Sequence, residues 1–521
     1  MCRADVPPAN RTWRRFSPRV IAIADTALHV PALTRVAVPP PRAEGATSPD
    51  PTRTAEPSLS PQTPAPAGAP DPAARRTSAE LPRRLGFWEA TLIVIGVTIG
   101  SGIFRVPAGV ADTVGSPAAV AAVWVIGGII ALCGALSLAE LAAAIPEPGG
   151  VFVYLREVYG PAVAFLFGWM YLFVGPTGIG AVAVVFGEYL GELAGLSPLG
   201  VRLAAAAAIV IAAAASYRSV RGASALQGTA TVAKVAALAA IVVTALVFGD
   251  GGWGTFAADA PAPVDARWSG VGLGLVAALW AYNGFQDMLP VAGEVRNPGR
   301  ALPRALLAGT AIVVAVYLSA NAAYLYVLPY ETLRASPLVA SDAMVRIVGP
   351  VGAIAVAAAV MVSTFGTVNA LALTQPRVFY AMADAGLLFR PLARVHPRFA
   401  TPHVAIVAYA VVAVIGVWVR SFEQLAEAFV LGVWPFLALA VVGVLVMRGR
   451  RPELVRPYRT PWYPVVPLIF VGGTLWVVGS ALVARPVTTL AGIALTLMGL
   501  PVYALWRYAG RRAARGHEQG R

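Results

Sequence analysis

Apolar stretches of about twenty residues follow one another from Phe87 to Tyr508, and no other feature limits the fold as severely. A helix rises about 1.5 Å per residue, so some twenty apolar residues cross the ~30 Å hydrocarbon layer of a bilayer. Twelve spans are predicted, at 87–110, 117–145, 160–190, 201–217, 224–248, 270–292, 303–328, 350–383, 403–420, 422–447, 464–483 and 488–508. A membrane β-barrel would instead show alternating segments of about ten residues. Only 13% of the residues are charged, against about 25% in a soluble domain. The fold class expected is an all-α polytopic membrane protein.

Residues 1–84 differ in kind. From Val38 to Pro82 the chain is rich in Pro, Ala, Ser and Thr and too poor in large apolar side chains to offset the entropy of ordering, which predicts a disordered tail. The run VIAIADTALHV is short and interrupted by Asp25, so it does not read as a secretory signal. The loops then set the orientation. One set holds the four arginines of RRTSAELPRR, Arg156, Arg218, Arg221, Arg296, Arg300, Arg304, Arg377, Arg390, Arg394 and Arg398, the five of RGRRPELVRPYR, and the four from Arg507 to Arg515. The other holds seven: Arg105, Arg202, Arg267, Arg334, Arg346, Arg420 and Arg485. Arginine-rich loops stay on the cytoplasmic side, which puts both termini there, the tail 509–521 included, in a cell-membrane protein. The net charge of +14 therefore needs no nucleic-acid partner. Two cysteines and four histidines, none clustered, predict neither a disulfide nor a metal or haem site.

Two spans are interrupted. The first, LIVIGVTIGSGIFRVPAGV, places Gly96, Gly100 and Gly102 within seven residues, where each glycine costs about 1 kcal/mol relative to alanine. Close helix packing would also explain Gly96 and Gly100, four apart. The sixth, GLGLVAALWAYNGFQDMLPVAGE, gathers Tyr282, Asn283, Gln286 and Asp287 around Gly284. Glycine-broken spans at matching positions of two five-helix halves point to a transporter's substrate site. Unwound backbone at mid-membrane is tolerated only beside a polar cavity or ligand. Helix N-termini there bind anions and carbonyl ends bind cations, a pairing suited to a zwitterion.

The segment GVTIGSGIF resembles the first-helix signature of the amino acid–polyamine–organocation (APC) superfamily. SLAELAAAIPEPGGVFVYLREVYG, LWAYNGFQD with EVRNPGRALPRAL, STFGTVNALALTQPRVFYAMADAGLL and RPYRTPWYPVVPLIF are similar to later segments of that family, in order, over residues 85–510. The likeness is strongest to the branch containing L-type amino acid transporters and their bacterial relatives. It implies a LeuT-like arrangement of inverted repeats at 85–248 and 270–447, broken helices 1 and 6, and two further helices at 464–508. It also implies that amides of Gly100, Ser101 and Gly102, with Ile99 and Ile103 adjoining, hold a substrate carboxylate. The carbonyls of Thr98, Trp280 and Ala281 would hold the ammonium, and Trp280 would close over the substrate. Asn283 stands where relatives with cationic substrates often carry an acid, which favours neutral amino acids. Gly178 either leaves pocket room or packs a helix.

Lys234 is the one lysine in the chain and lies inside TVAKVAAL, 8–12 residues into the fifth span. That is about 12–18 Å deep, beyond comfortable reach of a ~6 Å stem. A buried lysine can exchange a proton, whereas arginine cannot. The resemblance places it where sodium-coupled relatives bind sodium, near Ser363 and Thr364. A fixed cation is thus expected in place of sodium, as proton carrier or as permanent charge. Glu140 and Glu294 are expected to pair with loop arginines in an inner gate, beside Arg377 and Tyr380 of the family's RxFYAMA pattern. The following ADAGLL departs from the family's usual ending.

These features imply a secondary transporter of amino acids, a proton symporter or an exchanger, with no cofactor and no catalytic residues. No GxxxxGK[ST] phosphate loop is present to support an ATP-driven pump. Eukaryotic exchangers of this branch are disulfide-linked to a heavy chain through the loop between helices 3 and 4. Here that loop, GELAGLSPLG, has no cysteine, so no such partner is expected. The alternatives are a membrane amino-acid sensor on the same fold and a carrier of cationic amino acids or polyamines.

Overall fold

A computed structural model describes residues 85–252, 269–336 and 338–508, together with Arg83. The expected tails 1–84 (Arg83 apart) and 509–521 lie outside the described residues, as does Arg267. Among the described residues the regular elements are all helices, without a β-strand.

The first expected span is two helices, α1 (Phe87–Thr98) and α2 (Gly102–Val114), meeting at 41°. α3 (Pro117–Ala144) begins at Ser116, whose hydroxyl accepts the Ala119 amide, with Pro117 in the first turn, where a missing N–H costs nothing. A short α4 (Val151–Tyr159) leads into α5 (Pro161–Ala194), α6 (Pro198–Arg218) and α7 (Val220–Phe248). α8 (Ser269–Tyr282) gives way at Gly284 to a 3₁₀ segment, Phe285–Glu294. α9 (Pro298–Val327), the short α10 (Tyr330–Ala335) and α11 (Val339–Val348) precede α12 (Pro350–Thr374), which runs on through α13 (Pro376–Asp384). α14 (His403–Val419), α15 (Phe422–Arg450), α16 (Val465–Ala484) and α17 (Pro486–Leu497) complete the bundle.

Among the described residues nine helices are long and apolar enough to cross a membrane, ten if α1 and α2 count as one span. The two remaining predicted spans fall short by length: α8 has 14 helical residues before its break, and α14 has 17. The multi-pass membrane architecture follows, while a count of twelve is not reached by helix length alone. Outer helices are apolar on both faces. In α6, Ala208, Ile209 and Ala212 are buried while Leu203, Val210 and Ile211 are exposed, as a face against lipid requires.

The two breaks touch. A Cβ on Gly102 would sit 2.6 Å from Cα of Ala281, and one on Gly284 would sit 2.6 Å from Cα of Thr98. Gly284 also has φ +135°, a conformation side chains rarely adopt. Glycine at these two positions lets one unwound strand cross directly over the other.

Candidate functional site

Where the breaks cross, a narrow cavity opens at the middle of the bundle. Its walls include Thr98, Gly100, Ser101 and Gly102 from the first break, Trp280, Asn283 and Asp287 from the second, and Gly178 of α5. Seven of the ten substrate-site residues proposed from sequence therefore meet around one space. The other three stand behind it: Ile99 and Ile103 are fully buried, and Ala281 backs Gly102. Gly178 lines the cavity, and a Cβ there would come 2.8 Å from the Phe429 ring. Phe429, Tyr409, Gly175 and Thr367, with Val97, Val182 and Leu371, complete the walls without having been singled out in sequence.

The cavity is polar at its ends. Of the first amides of α2, those of Gly102 and Ile103 meet no backbone carbonyl. Those of Phe104 and Arg105 donate to Ser101 O at 3.2 Å, and the preceding Gly100 amide donates to Thr98 O at 2.8 Å. The buried Ser101 hydroxyl has no hydrogen-bond partner. That end is electropositive. Beside it, carbonyls at the ends of α1 and α8 converge on one side chain. The Tyr317 hydroxyl of α9 donates to Thr98 O at 2.7 Å and Ala281 O at 3.1 Å. One proton serves two acceptors, so carbonyl capacity remains for a second donor. Tyr317 packs edge-on against Trp124 and beside Tyr282, whose own hydroxyl donates to Trp124 O. Nothing in the local sequence of α9 marked Tyr317, since one tyrosine in an apolar helix is ordinary.

Lys234 is 1% exposed. Its Nζ donates toward four oxygens: Gly96 O at 2.8 Å, Ile99 O at 2.7 Å, Ser363 O at 2.9 Å and Thr367 Oγ1 at 2.9 Å. The ammonium thus caps the broken end of α1 and ties it to α12, a favourable place for a cation at a helix C-terminus. Ser363 also turns its hydroxyl to Ile99 O and Gly100 O. Thr364 does not join this cluster, because its hydroxyl bonds back to Val360 O at 2.7 Å. Thr367 stands there instead. Position 367 follows 363 by four residues and shares its face, whereas 364 is rotated about 100° away.

Charged layers lie beyond both ends of the cavity. On one side Trp280 meets Phe422 and Phe429 edge-on, and Arg105 stacks over Phe422 at 5.6 Å. Arg105 pairs with Glu188 at 3.3 Å and Glu423 at 2.8 Å, joining α2, α5 and α15. Trp280 is buried in this stack, not an interfacial anchor. On the other side Glu140 takes two bonds from Arg448, at 2.9 and 2.7 Å, and the Thr460 amide at 2.8 Å, with Arg456 at 3.5 Å. For both acids the closest partner corrects the expectation of a loop arginine: Arg448 lies in the last turn of α15, and Glu294 pairs with Arg377 of α13 at 2.6 Å, both side chains within 3% of full burial. Two charges removed from water together must find each other, and the fold supplies the arginine from a helix. Tyr380 is buried one turn along from Arg377.

Comparison with known proteins decides the family. Residues 85–503 match the amino acid permease family, which is most of the chain. The chain belongs to the amino acid permease family. The permease is 32% identical over 427 residues to the serine/threonine exchanger SteT of Bacillus subtilis (strain 168), covering 81% of this chain and 96% of that protein. It is 30% identical over 437 residues to the mouse (Mus musculus) b(0,+)-type amino acid transporter 1, covering 83% and 89%. It is 30% identical over 432 residues to the human (Homo sapiens) cystine/glutamate transporter, covering 82% and 86%. The permease is thus a multi-pass amino acid transporter of the APC superfamily.

Proposed function

We propose that the permease exchanges neutral amino acids across the cell membrane by alternating access, without sodium and with both termini in the cytoplasm. The observation that carries this reading is the pair of crossed breaks. The amides opening α2 and the free Ser101 hydroxyl suit a carboxylate, and the carbonyls of Thr98 and Ala281 suit the ammonium on the same carbon. A neutral Asn283 in the cavity wall supports a neutral side chain. Lys234 already fills a cage of four oxygens, which supports sodium independence. These contacts join α1 to α12 through Lys234, which supports a structural tie and hence exchange over proton symport. The name of the SteT relative, an exchanger of serine and threonine, points the same way.

In this reading residues 85–248 and 270–447 are the two inverted repeats, and the charged layers are gates. The more arginine-rich layer, with Glu140, Glu294, Arg377 and Tyr380, faces the cytoplasm. Arg105 latches the outer side. No covalent partner subunit is required, since GELAGLSPLG has no cysteine to link one.

The test uses purified permease in proteoliposomes with labelled alanine outside. Uptake should require unlabelled amino acid inside and be unaffected when choline replaces sodium. Uptake into empty vesicles driven by a pH gradient would refute exchange, and strict sodium dependence would refute the role given to Lys234. Arg105→Ala tests the latch. Two partly exposed ion pairs at about 0.2–1 kcal/mol each and a cation–π contact at about 0.5–1 kcal/mol bias the closed state by roughly tenfold. Exchange should slow by about that factor with external binding retained, and an unchanged rate would show that Arg105 is no gate.

A further inference from the structure

Not every arginine on the side assigned to the cytoplasm is engaged in the inner gate. Arg377, Arg448 and Arg456 are, and Arg156 pairs with Glu147. Arg296, Arg300 and Arg304 are placed differently, since all three line one cavity of about 830 Å³. Arg300 and Arg304 lie one turn apart on the same face of α9, and Arg296 just precedes that helix. Gly86 and Phe87, at the start of α1, supply another wall. Pro457, from the connection between α15 and α16, closes over the first turn of α9, because a Cβ on Gly299 would lie 3.1 Å from its ring. Backbone bonds hold these walls together: Leu85 N donates to Glu294 O at 2.9 Å, and Arg296 N donates to Leu85 O at 2.7 Å. The cavity is thus a meeting of three distant stretches of chain.

Its charge is one-sided. Among the described residues no carboxylate lines the cavity, and none of the three guanidiniums forms an ion pair. Glu89, in the first turn of α1, is turned back to accept the Gly86 amide at 2.9 Å. Like charges one helical turn apart repel, and three of them around one space draw an anion into it. Depth decides which anion. Trp88, next to Phe87, is 69% exposed, and the two rings meet edge-on. An exposed tryptophan at the end of a membrane helix sits at the level of the lipid headgroups. A phosphate at that depth belongs to a phospholipid. A net-negative headgroup suits three arginines better than one carrying its own ammonium.

We propose that Arg296, Arg300 and Arg304 bind the phosphate of an anionic phospholipid in the adjoining leaflet, cytoplasmic in the orientation given above. The test reads the lipid retained by the full-length permease purified in detergent, where orientation in a membrane plays no part. Phosphatidylglycerol and phosphatidylcholine, supplied in equal amounts, are the probes. Phosphatidylglycerol should be retained at least about tenfold over phosphatidylcholine, since each basic side chain near an anionic headgroup adds severalfold. In the variant Arg296→Gln/Arg300→Gln/Arg304→Gln that preference should fall to about twofold or less. Arg390→Gln/Arg394→Gln/Arg398→Gln removes the same charge from the same side and should leave the preference intact. All six side chains are exposed, so both variants should remain monodisperse. Equal retention of the two lipids by the wild type would overturn the site, a result that needs no variant. An equal loss in both triple variants would overturn it too, because diffuse surface charge would then be the cause. Displacement of the retained lipid by inorganic phosphate would show that the cavity takes a free phosphate, and would refute the lipid.

Discussion

Lys234→Ala is expected to abolish amino acid exchange, lowering uptake at least about a hundredfold. Removing the side chain withdraws one ammonium from four oxygens placed 2.7–2.9 Å away on two different helices. Each buried acceptor left without a donor costs about 1–3 kcal/mol. Two such losses already approach 3 kcal/mol, about a hundredfold in the population of the correctly joined state. Lys234→Arg should not rescue, because a planar guanidinium cannot present its donors to a compact cage built for an ammonium. Monodispersity in detergent separates loss of folding from loss of exchange. Wild-type uptake by Lys234→Ala would show that the tie between α1 and α12 is dispensable.

Gly284→Ala is expected to be comparably severe for a different reason. The new Cβ would lie 2.6 Å from Cα and 2.7 Å from N of Thr98, both backbone atoms that cannot swing aside. The residue would also be held at φ +135°, with strain of about 1–3 kcal/mol before any clash is counted. Relief requires the two breaks to separate, and with them the amide and carbonyl ends of the cavity. Gly479→Ala in α16 is the control, since its Cβ would meet nothing within 4 Å. Exchange by Gly284→Ala at the control's level would mean that the crossing of the breaks tolerates an extra ångström.

Both predictions begin from residues visible in the linear chain. An isolated lysine in an apolar run and a glycine among polar residues at mid-span are chemically conspicuous, because bilayer hydrocarbon leaves no other solvent for them. What surrounds them was less visible. Thr367 was legible in principle, four residues from Ser363 on one helical face, yet the adjacent Thr364 has the same chemistry. Only the rotation of α12 about its axis separates them. Tyr317 was harder still, and so was the partner of Arg377, which the sequence placed in the inner gate without its pairing. Each acts on a group far away in sequence: Tyr317 on Thr98, 219 residues distant, and Arg377 on Glu294, 83 residues distant.

The apolar period alone was sufficient for the membrane architecture, and the interrupting glycines for the location of the breaks. Those are local consequences of hydrocarbon thickness and backbone freedom, carried by every short segment on its own. Which carbonyl meets which donor depended on helices packed from distant parts of the chain. So did the pairing of Glu294 with a helix arginine and not a loop arginine, and the closing of Pro457 over the first turn of α9. Hydrogen bonds and ion pairs act over about 3 Å, and that precision exists only once the bundle has closed.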